Sequence, residues 1–313
     1  MVTLSDFQSA QARIAPYIRQ TPVLELVGLQ QSPCLDAHLL LKLENLQVTG
    51  AFKARGALNK LLSLVPDDLE RGVITASGGN HGLAVAYAAW TAHVPAKIFL
   101  PANVPESKSI KLQRWGAEVI RHGEVWDDAN HAALAMAEQT GMAYIHPFAD
   151  PLVIAGQGTL ALELAVQAPQ LDKIIVAIGG GGLISGVAAA AKLINPAIRI
   201  IGVEPTGAPT LYESVKANQV ITLPKITTTA NTLAPCQSTR LNLSLVQQNV
   251  EEIVLVTDEE MREAAHWLWF ECGIAAELSG AAAMAAILQQ RVPISKGDRI
   301  CALVCGAGTD GIY

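Results

Sequence analysis

The sequence has few charged residues and no concentration of basic ones. Its 313 residues include 22 Lys and Arg against 28 Asp and Glu, a formal net charge of −6. Such a chain lacks the electrostatic footprint that nucleic acid or anionic lipid requires, so we expect a small-molecule partner and no nucleic acid. Charged residues make up 16% and hydrophobic residues 50%, which excludes a disordered chain and predicts a compact, soluble globular protein.

Cysteine and long apolar runs are equally scarce. The five cysteines are Cys34, Cys236, Cys272, Cys301 and Cys305. They lack the paired spacing of a zinc site and suggest no disulfide framework, which fits a cytoplasmic location. No apolar run is long enough to cross a bilayer, and the first 14 residues lack the apolar region of a signal peptide, so we expect no membrane partner. Ser5 followed by Gln8 predicts a capping box at the start of a helix.

Short apolar segments alternate with alanine-rich segments along most of the chain. The predicted strands lie at 72–77, 96–101 and 198–205, the predicted helices at 80–92, 104–116 and 126–139, and a strand, glycine turn and helix at 173–194. This alternation predicts an α/β fold of parallel sheets covered by helices. From 207 to 249 the pattern weakens, which predicts an irregular segment. The segment WLWFECG (267–273) has helical spacing, and we expect it in the core rather than at an interface.

A run of four glycines, 179–182, follows a buried strand and opens a helix. Backbone N–H groups and the helix N-terminus converge there, so we expect an anion site. The run is not a nucleoside triphosphate loop, because no GK[ST] follows, and it matches the dinucleotide fingerprint poorly. The alternative is that the glycines only allow a strand and a helix to pack closely.

The segment TASGGNHG, 75–82, occupies another strand-to-helix junction. Backbone donors from Ser77 to His81 could hold a carboxylate, and the Asn80 side chain could donate to a phenolic or carbonyl oxygen. His81 could equally be a packing residue, because the sequence supplies no group to orient it for proton transfer.

Lys53 lies in TGAFKARGAL, 49–58, where few other residues are charged. A lysine between Phe52 and Ala54 could simply extend its ammonium into solvent. Together with an anion turn and a carboxylate-holding turn, however, it completes what a pyridoxal phosphate site requires: a phosphate cup, a substrate anchor and an amine that binds the cofactor covalently.

The chain resembles the fold type II pyridoxal phosphate-dependent enzymes of the serine/threonine dehydratase and serine racemase family, whose fold is that of the tryptophan synthase β subunit. Four segments carry the resemblance: LENLQVTGAFKARGA, ASGGNHGLAVAYAA, IGGGGLISG, and ELSGAAA with the terminal LVCGAG. It implies a larger cofactor-binding domain from 1–49 and 149–313, and a smaller mobile domain from 50–148 that closes over the substrate. It also implies a homodimer.

The resemblance assigns roles to particular residues. Lys53 is implied as the catalytic residue that holds the cofactor covalently. The implied cofactor-binding residues are Phe52, Lys53, Asn80, Gly179, Gly180, Gly181, Gly182, Leu183, Glu277 and Cys305. The implied substrate-binding residues are Ser77, Gly78, Gly79, Asn80 and His81. Cys305 matches the partner of the pyridine nitrogen, and a neutral partner favours loss of a β-substituent over a long-lived carbanion.

The implied activity is an ammonia-lyase (dehydratase) that converts a 3-hydroxy amino acid, L-threonine or L-serine first, into a 2-oxo acid and ammonia. Alternatives are a dehydratase for 3-hydroxyaspartate or phenylserine, a serine racemase, and a non-catalytic pyridoxal phosphate-binding protein. A β-replacing synthase would show SGNTG where this chain has His81.

Departures from the family pattern narrow these choices. Racemases carry a second serine where this chain has Gly78, so racemisation should be weak. Metal-dependent relatives pair a glutamate with an aspartate where this chain has Glu204 and Thr210, so no metal is expected. Ala51 and Asn231 replace a serine and an aspartate of the pattern, which makes the substrate less certain than the reaction. The sequence ends at Tyr313 without an effector domain, so isoleucine control is not expected.

Overall fold

The computed structural model describes residues 2–33 and 36–312, so Cys34 and Tyr313 lie outside the described residues. Within these ranges the chain forms twelve α-helices and ten β-strands. The helices are α1 (Leu4–Ile14), α2 (Lys53–Leu61), α3 (Pro66–Arg71), α4 (Asn80–Ala92), α5 (Glu106–Arg114), α6 (Trp126–Thr140), α7 (Pro151–Gln167), α8 (Gly182–Ile194), α9 (Thr210–Ala217), α10 (Arg240–Asn249), α11 (Asp258–Cys272) and α12 (Leu278–Leu288). The strands are β1 (Val23–Glu25), β2 (His38–Leu43), β3 (Val73–Ala76), β4 (Ala96–Leu100), β5 (Glu118–Arg121), β6 (Ala143–Tyr144), β7 (Lys173–Ala177), β8 (Arg199–Pro205), β9 (Glu252–Val256) and β10 (Arg299–Val304).

The strands form two sheets. The larger has six strands in the order β1-β2-β10-β7-β8-β9, and the smaller has four in the order β5-β4-β3-β6. All neighbouring pairs are parallel except β1 and β2. Every residue of β7 is buried, as expected for a continuous apolar run in a parallel sheet covered on both faces. The predicted α/β fold is therefore confirmed, while the division into two domains stays a prediction.

Helix α7 packs closely against both α2 and α8 because glycines face each other at the crossings. A Cβ built on Gly156 would lie 2.6 Å from the Cα of Gly56, and one built on Gly186 would lie 2.4 Å from the carbonyl oxygen of Ile154. Any larger residue at these positions would push the helices apart. The crossings hold α2, which begins with Lys53, against α7, and α7 in turn against α8.

The prediction that 207–249 is irregular is wrong, since the segment contains α9 and α10. Helix α9 spans only eight residues and ends at Ala217, because the next residue, Asn218, has a left-handed backbone. Helix α10 begins after Thr239, whose hydroxyl accepts the N–H of Asn242. Both helices are bounded by single cap residues rather than marked by a long apolar period, which explains why the hydrophobic pattern weakens there.

Two further local predictions need correction. The capping box of α1 is formed by Thr3 and Asp6, two residues earlier than the expected Ser5 and Gln8. In the segment 267–273, Trp269 is 41% exposed and Phe270 is 79% exposed, so these two rings do not belong to the core.

The four cysteines that the structure describes are all free thiols. Among the described helices, none combines the length and apolar character needed to span a membrane.

Candidate active site

Several of the predicted site residues lie at one edge of the six-stranded sheet. Strands β2, β10 and β7 are parallel neighbours, so their carboxyl ends meet at that edge. Glu44 directly follows β2, Cys305 directly follows β10, and Gly179 lies just beyond β7. Ligands of open parallel sheets bind in this position, outside the carboxyl ends of the strands.

Main-chain hydrogen bonds join the segments that carry three of the predicted site residues. The Phe52 amide donates to the Cys305 carbonyl at 3.2 Å, and the Ala307 amide donates to the Gly50 carbonyl at 2.8 Å. The Glu277 amide donates to the Gly306 carbonyl at 3.2 Å. These bonds fix the backbones that carry Lys53, Cys305 and Glu277 relative to one another.

The Lys53 amine points into the site rather than into solvent. Its Nζ donates to the Pro147 carbonyl at 2.7 Å and lies 5.2 Å from the centroid of the Phe52 ring. Burial lowers the pKa of Lys53 from 10.5 to about 8, although the neighbouring Glu277 carboxylate acts in the opposite direction. A lysine with this pKa supplies neutral amine near physiological pH, as a nucleophile or a general base requires.

Cys305 is a neutral thiol. Burial raises its pKa well above the ordinary value for a thiol, and its Sγ donates to the Ser279 carbonyl at 3.5 Å. It therefore adds no negative charge to the site.

Glu277 connects the two sheets. Its Oε1 accepts the Asn80 Nδ2 at 2.8 Å, and Asn80 begins α4 on the four-stranded sheet. Burial, reinforced by Asp310, raises the pKa of Glu277 to about 7. The carboxyl group is thus poised between its charged and neutral forms at physiological pH.

Residues 179–182, the glycine loop, present unsatisfied donors. Within the described chain, no acceptor is found for the amide N–H groups of residues 179–184. They lie at the start of α8, around the cap residue Gly181 with its left-handed φ of 95°, so the donors and the helix dipole together favour an anion. A Cβ on Gly180 would lie 2.2 Å from the Phe148 ring. The glycines are therefore needed for close packing as well, although against Phe148 rather than between a strand and a helix.

Residues 77–81, the serine turn, form a similar cradle beyond β3. Helix α4 begins at Asn80 after the cap residue Gly79, and within the described residues the amides of 80–82 donate to no protein acceptor. The turn is tight, because a Cβ on Gly82 would lie 1.9 Å from the Ser77 carbonyl oxygen.

The side chain of His81 faces the protein interior. Its Nε2 lies 2.9 Å from the Ile145 carbonyl and 3.1 Å from the Thr75 hydroxyl. Because a carbonyl only accepts, Nε2 carries the proton. Burial lowers the pKa of His81 to about 3, with the nearby Lys53 acting in the same direction. These contacts favour the packing alternative for this side chain and leave its backbone N–H as the group that could meet substrate.

Sequence reasoning missed the turn that receives the Lys53 amine. The Nδ1 of His146 accepts the amides of Phe148 at 3.2 Å and Ala149 at 2.9 Å, which shapes the turn around Pro147. Burial lowers the pKa of His146 to about 4, so the ring stays a neutral acceptor. Only the sequence HPF itself could have indicated this turn, since proline favours turn geometry.

It also missed the support of the glycine loop from α10. The Ser238 hydroxyl donates to the Gly180 carbonyl at 2.9 Å. Asn242 is fully buried, and its Nδ2 lies 3.2 Å from both the Phe148 carbonyl and the Ser185 hydroxyl. These residues belong to the stretch that was expected to be irregular.

Glu204 and Thr210 have other partners. The Glu204 carboxyl accepts the amides of Leu211 at 2.8 Å and Tyr212 at 2.7 Å, and the Thr210 hydroxyl donates to the Pro235 carbonyl at 2.7 Å. The described residues include no group of three or more His, Cys, Asp or Glu that could hold a metal ion.

The structure also locates Ala51 and Asn231, the two other residues that depart from the family pattern. Ala51 is buried and forms a β-bridge with Gly306, so it belongs to the main-chain junction under Lys53. Asn231 is exposed at a short helical turn, and the next residue, Thr232, contacts Glu277 and Ser279.

The residues present fit pyridoxal phosphate. The free amides of the glycine loop suit a phosphate, those of the serine turn suit a carboxylate, and between them lie an amine of lowered pKa and a neutral thiol. The loop glycines leave room for a ligand to approach the backbone closely.

Comparisons with known proteins agree with this geometry. A family model described as "Pyridoxal-phosphate dependent enzyme" matches residues 14–306. The L-threonine ammonia-lyase of Thermotoga maritima is 38% identical over 310 residues, covering 99% of this chain and 76% of that protein. The serine racemase of Oryza sativa subsp. indica is 39% identical over 311 residues, covering 98% and 91%. The structure of maize serine racemase superimposes with a TM-score of 0.91 at 37% identity, covering 98% and 93%. The chain therefore belongs to the fold type II family of pyridoxal phosphate-dependent enzymes.

Proposed function

We propose that this protein is an ammonia-lyase (dehydratase) that converts a 3-hydroxy amino acid, L-threonine or L-serine first, into a 2-oxo acid and ammonia. The observation that carries the proposal is the Lys53 amine, whose pKa burial lowers to about 8 and which lies beside a neutral thiol. Similar proteins named L-threonine ammonia-lyase support this choice of reaction.

The cofactor would be held by residues of both sheets. The glycine loop and Leu183 would bind its phosphate, Lys53 would hold it covalently beside Phe52, and Asn80, Glu277 and Cys305 would meet its ring. When bound, pyridoxal phosphate supplies an electron-withdrawing group that acidifies the Cα–H bond of an amino acid. Cys305 limits that effect, because a neutral thiol does not stabilise positive charge on a ring nitrogen as a carboxylate would.

The chain's own groups would then act on the substrate. The amides of the serine turn, Ser77, Gly78, Gly79, Asn80 and His81, hold the substrate carboxylate and orient Cα. Neutral Lys53 takes the Cα proton, and its lowered pKa makes it a base that is available near neutral pH. For L-threonine the overall change is conversion to 2-oxobutanoate and ammonia, and for L-serine it is conversion to pyruvate and ammonia.

Serine racemase is the second candidate, because proteins of that name are among the similar sequences and structures. Racemisation needs a proton donor on the face of Cα opposite the base. Gly78 offers no side chain there, and the nearest neighbours of a Cβ at this position would be methyl carbons of Leu100 and Val104, each at 3.2 Å. The proposal therefore favours elimination over racemisation.

The same proposal includes closure of a smaller domain, 50–148, over the substrate. The four-stranded sheet lies entirely within this range, and the serine turn belongs to it while the glycine loop belongs to the six-stranded sheet. A substrate whose carboxylate is held by the serine turn, beside a cofactor held by the glycine loop, would draw the two sheets together. Small-angle X-ray scattering should show a smaller radius of gyration when the substrate carboxylate is engaged, and an unchanged radius would contradict closure.

A homodimer in the cytoplasm completes the proposal. Phe270 is 79% exposed and Val27 is 81% exposed. The loop that carries Val27 is joined to α11 through bonds from the Gln30 amide to Glu271 and from Trp267 to the Gln31 carbonyl. A subunit contact would bury these apolar side chains. Analytical ultracentrifugation should give a dimer that Phe270→Ser weakens, and a monomeric wild-type protein would contradict the proposal.

The reaction is tested with a panel of 3-hydroxy amino acids: L-serine, L-threonine, both diastereomers of 3-hydroxyaspartate, and phenylserine. We expect release of a 2-oxo acid from one or two of them, with L-threonine or L-serine included. Release from 3-hydroxyaspartate or phenylserine alone would keep the reaction but change the substrate. No release from any of them with the cofactor bound would favour a β-replacing or non-catalytic role.

A further inference from the structure

Arg55 lies two residues after Lys53 on α2 and is completely buried. Its Nε and Nη2 both donate to the Glu44 carboxylate at 2.8 Å. Its Nη1 donates to the Thr159 hydroxyl at 3.1 Å and to Glu163 at 2.7 Å. One side chain therefore joins the start of α2 to the end of β2 and to α7, and it is unable to serve as a binding site for a substrate carboxylate.

The contacts continue to a second cation. The other oxygen of Glu163 accepts Lys42 Nζ at 2.6 Å, and Lys42 also donates to the Thr21 carbonyl at 2.7 Å. We call Arg55, Glu44, Glu163 and Lys42 the Arg55 clasp. Its two cations and two carboxylates balance in charge. Because desolvation offsets most of the attraction in buried ion pairs, stabilisation alone explains such a network poorly, and fixing a particular geometry explains it better.

The clasp closes a loop whose tip has an unfavourable backbone. Between Glu44 and Arg55, Thr49 has a φ of 64° and Gly50 has a φ of 83°. A β-branched residue is rarely found in this left-handed region, because its side chain clashes with the backbone there. The Thr49 hydroxyl is also buried without a hydrogen-bond partner within the described residues. A loop with such a tip keeps its shape only if its ends are held.

The same loop carries Lys53, and its last residues bond to the segment that carries Cys305. If the ends of the loop separated, Thr49 would relax toward an ordinary φ and the Lys53 amine would move away from Pro147 and Cys305. We propose that Arg55 is a positioning residue: the Arg55 clasp holds the strained loop 44–55 so that the Lys53 amine is presented to the cofactor aldehyde. This inference rests on the proposed use of Lys53 as the cofactor-binding lysine, but it does not depend on which amino acid is the substrate.

The test measures how fast cofactor-free protein links pyridoxal 5'-phosphate to Lys53. The linkage is trapped with sodium borohydride at intervals and located by peptide mass spectrometry. Arg55→Lys keeps the charge but loses the two-pronged contact with Glu44. We expect the folded variant to link Lys53 at least about tenfold more slowly, since displacement of a reacting group by about 1 Å can cost on the order of 100-fold. A rate equal to that of the wild-type protein would overturn the proposal.

Lys173→Met is the matched control. Lys173 is buried and forms an ion pair with Asp298, but it starts β7 and so lies at the opposite end of the strands from the site. We expect this variant to lose thermal stability while keeping the wild-type linkage rate. If both variants slowed linkage in proportion to their loss of stability, the clasp would have only a structural role.

A second substitution tests the part played by strain. Glycine adopts a φ of 64° without cost, so Thr49→Gly should keep the loop in shape even when the clasp is weakened. We expect Thr49→Gly alone to change the linkage rate little, and Thr49→Gly added to Arg55→Lys to restore most of the lost rate. If the two substitutions changed the linkage rate independently, so that their effects multiplied in the double variant, the proposed coupling between the Arg55 clasp and the loop 44–55 would be contradicted.

A milder variant serves if Arg55→Lys does not fold. Thr159→Val removes one acceptor of Arg55 and keeps the shape of the side chain, and we expect linkage to slow by about threefold because one hydrogen bond from the guanidinium is lost. An unchanged linkage rate in folded Thr159→Val would then overturn the proposal. Lack of turnover by wild-type protein that still links Lys53 normally would count against the proposed function and leave the clasp standing.

Discussion

Lys53 should capture the cofactor with a pH dependence that an ordinary lysine would not show. Only the neutral amine attacks an aldehyde, and burial lowers the pKa of Lys53 to about 8. The rate of linkage to pyridoxal 5'-phosphate should therefore rise with pH up to about 8 and level off above it.

The size of the effect follows from the two pKa values. At pH 7 a lysine with a pKa of about 8 is about 10% neutral, whereas one at the ordinary 10.5 is about 0.03% neutral. The site thus raises the concentration of reactive amine about 300-fold. Glu277, whose own pKa is about 7, is largely ionised at pH 8 and holds the pKa of Lys53 up. Glu277→Gln keeps an acceptor for Asn80 but removes this charge, so it should move the inflection to lower pH.

The assay follows the change in cofactor absorbance in a stopped-flow instrument from pH 6 to pH 10. The reasoning predicts one inflection near pH 8, displaced downward in Glu277→Gln. A wild-type rate that keeps rising in proportion to hydroxide up to pH 10 would refute the lowered pKa. An inflection that moves upward in Glu277→Gln would refute the assigned influence of the carboxylate.

Four further predictions concern single residues. Gly78→Ser should introduce a proton donor opposite Lys53 and increase formation of D-serine from L-serine by on the order of 100-fold; chiral chromatography that detects no increase would contradict this role. Asn242→Ala should remove the side-chain bonds to Phe148 and Ser185 beside the glycine loop and raise the dissociation constant of pyridoxal 5'-phosphate about tenfold. Fluorescence titration of cofactor binding measures this constant, and an unchanged value would contradict the prediction. Burial raises the pKa of Glu204 to about 8 from 4.5, so the folded protein binds more protons than the unfolded one between these values, and stability should fall as pH rises toward 8. In thermal melts, the stability of Glu204→Gln should therefore depend less on pH than that of the wild-type protein, and an equal dependence would contradict the raised pKa. The activity of this variant should not change when Mg²⁺ is added. Cofactor-free Lys53→Met should melt at a higher temperature than the wild-type protein at pH 7, and the gap should narrow as pH rises from about 8 toward 10.5, because the wild-type protein gains stability as its buried amine becomes neutral; a constant gap would contradict this.

The repeating part of the fold could be predicted from the sequence because its signals are local. Helix α4 begins at Asn80 and ends at Ala92, as its alanine-rich pattern and the glycines before it predict. The parallel sheets follow from continuous apolar runs separated by helices. By contrast, α9 and α10 depend on caps from Glu204 and Thr239, and caps alone give only a weak local signal.

Parts of the candidate site depend on contacts between residues far apart in the chain. The sequence places Lys53 in a motif, but its lowered pKa arises from burial under segments more than 90 residues away, including Pro147. The bond from Asn242 to the Phe148 carbonyl, beside the glycine loop, and the left-handed backbone of Thr49 have no sequence pattern of their own. Helical spacing likewise placed Phe270 in the core, because periodicity identifies an apolar face without showing what covers it.

The proposed elimination is tested most directly by measuring 2-oxobutanoate released from L-threonine by three proteins: wild type, Lys53→Ala and Lys60→Ala. Lys60 lies on the same helix and pairs with Asp150 at 2.8 Å, so it serves as the matched control. We expect release by the wild-type protein and by Lys60→Ala, and none by Lys53→Ala, because only Lys53 supplies the base and the covalent link. Near-normal release by Lys53→Ala would contradict the assignment, and no release by cofactor-loaded wild-type protein would contradict L-threonine as the substrate.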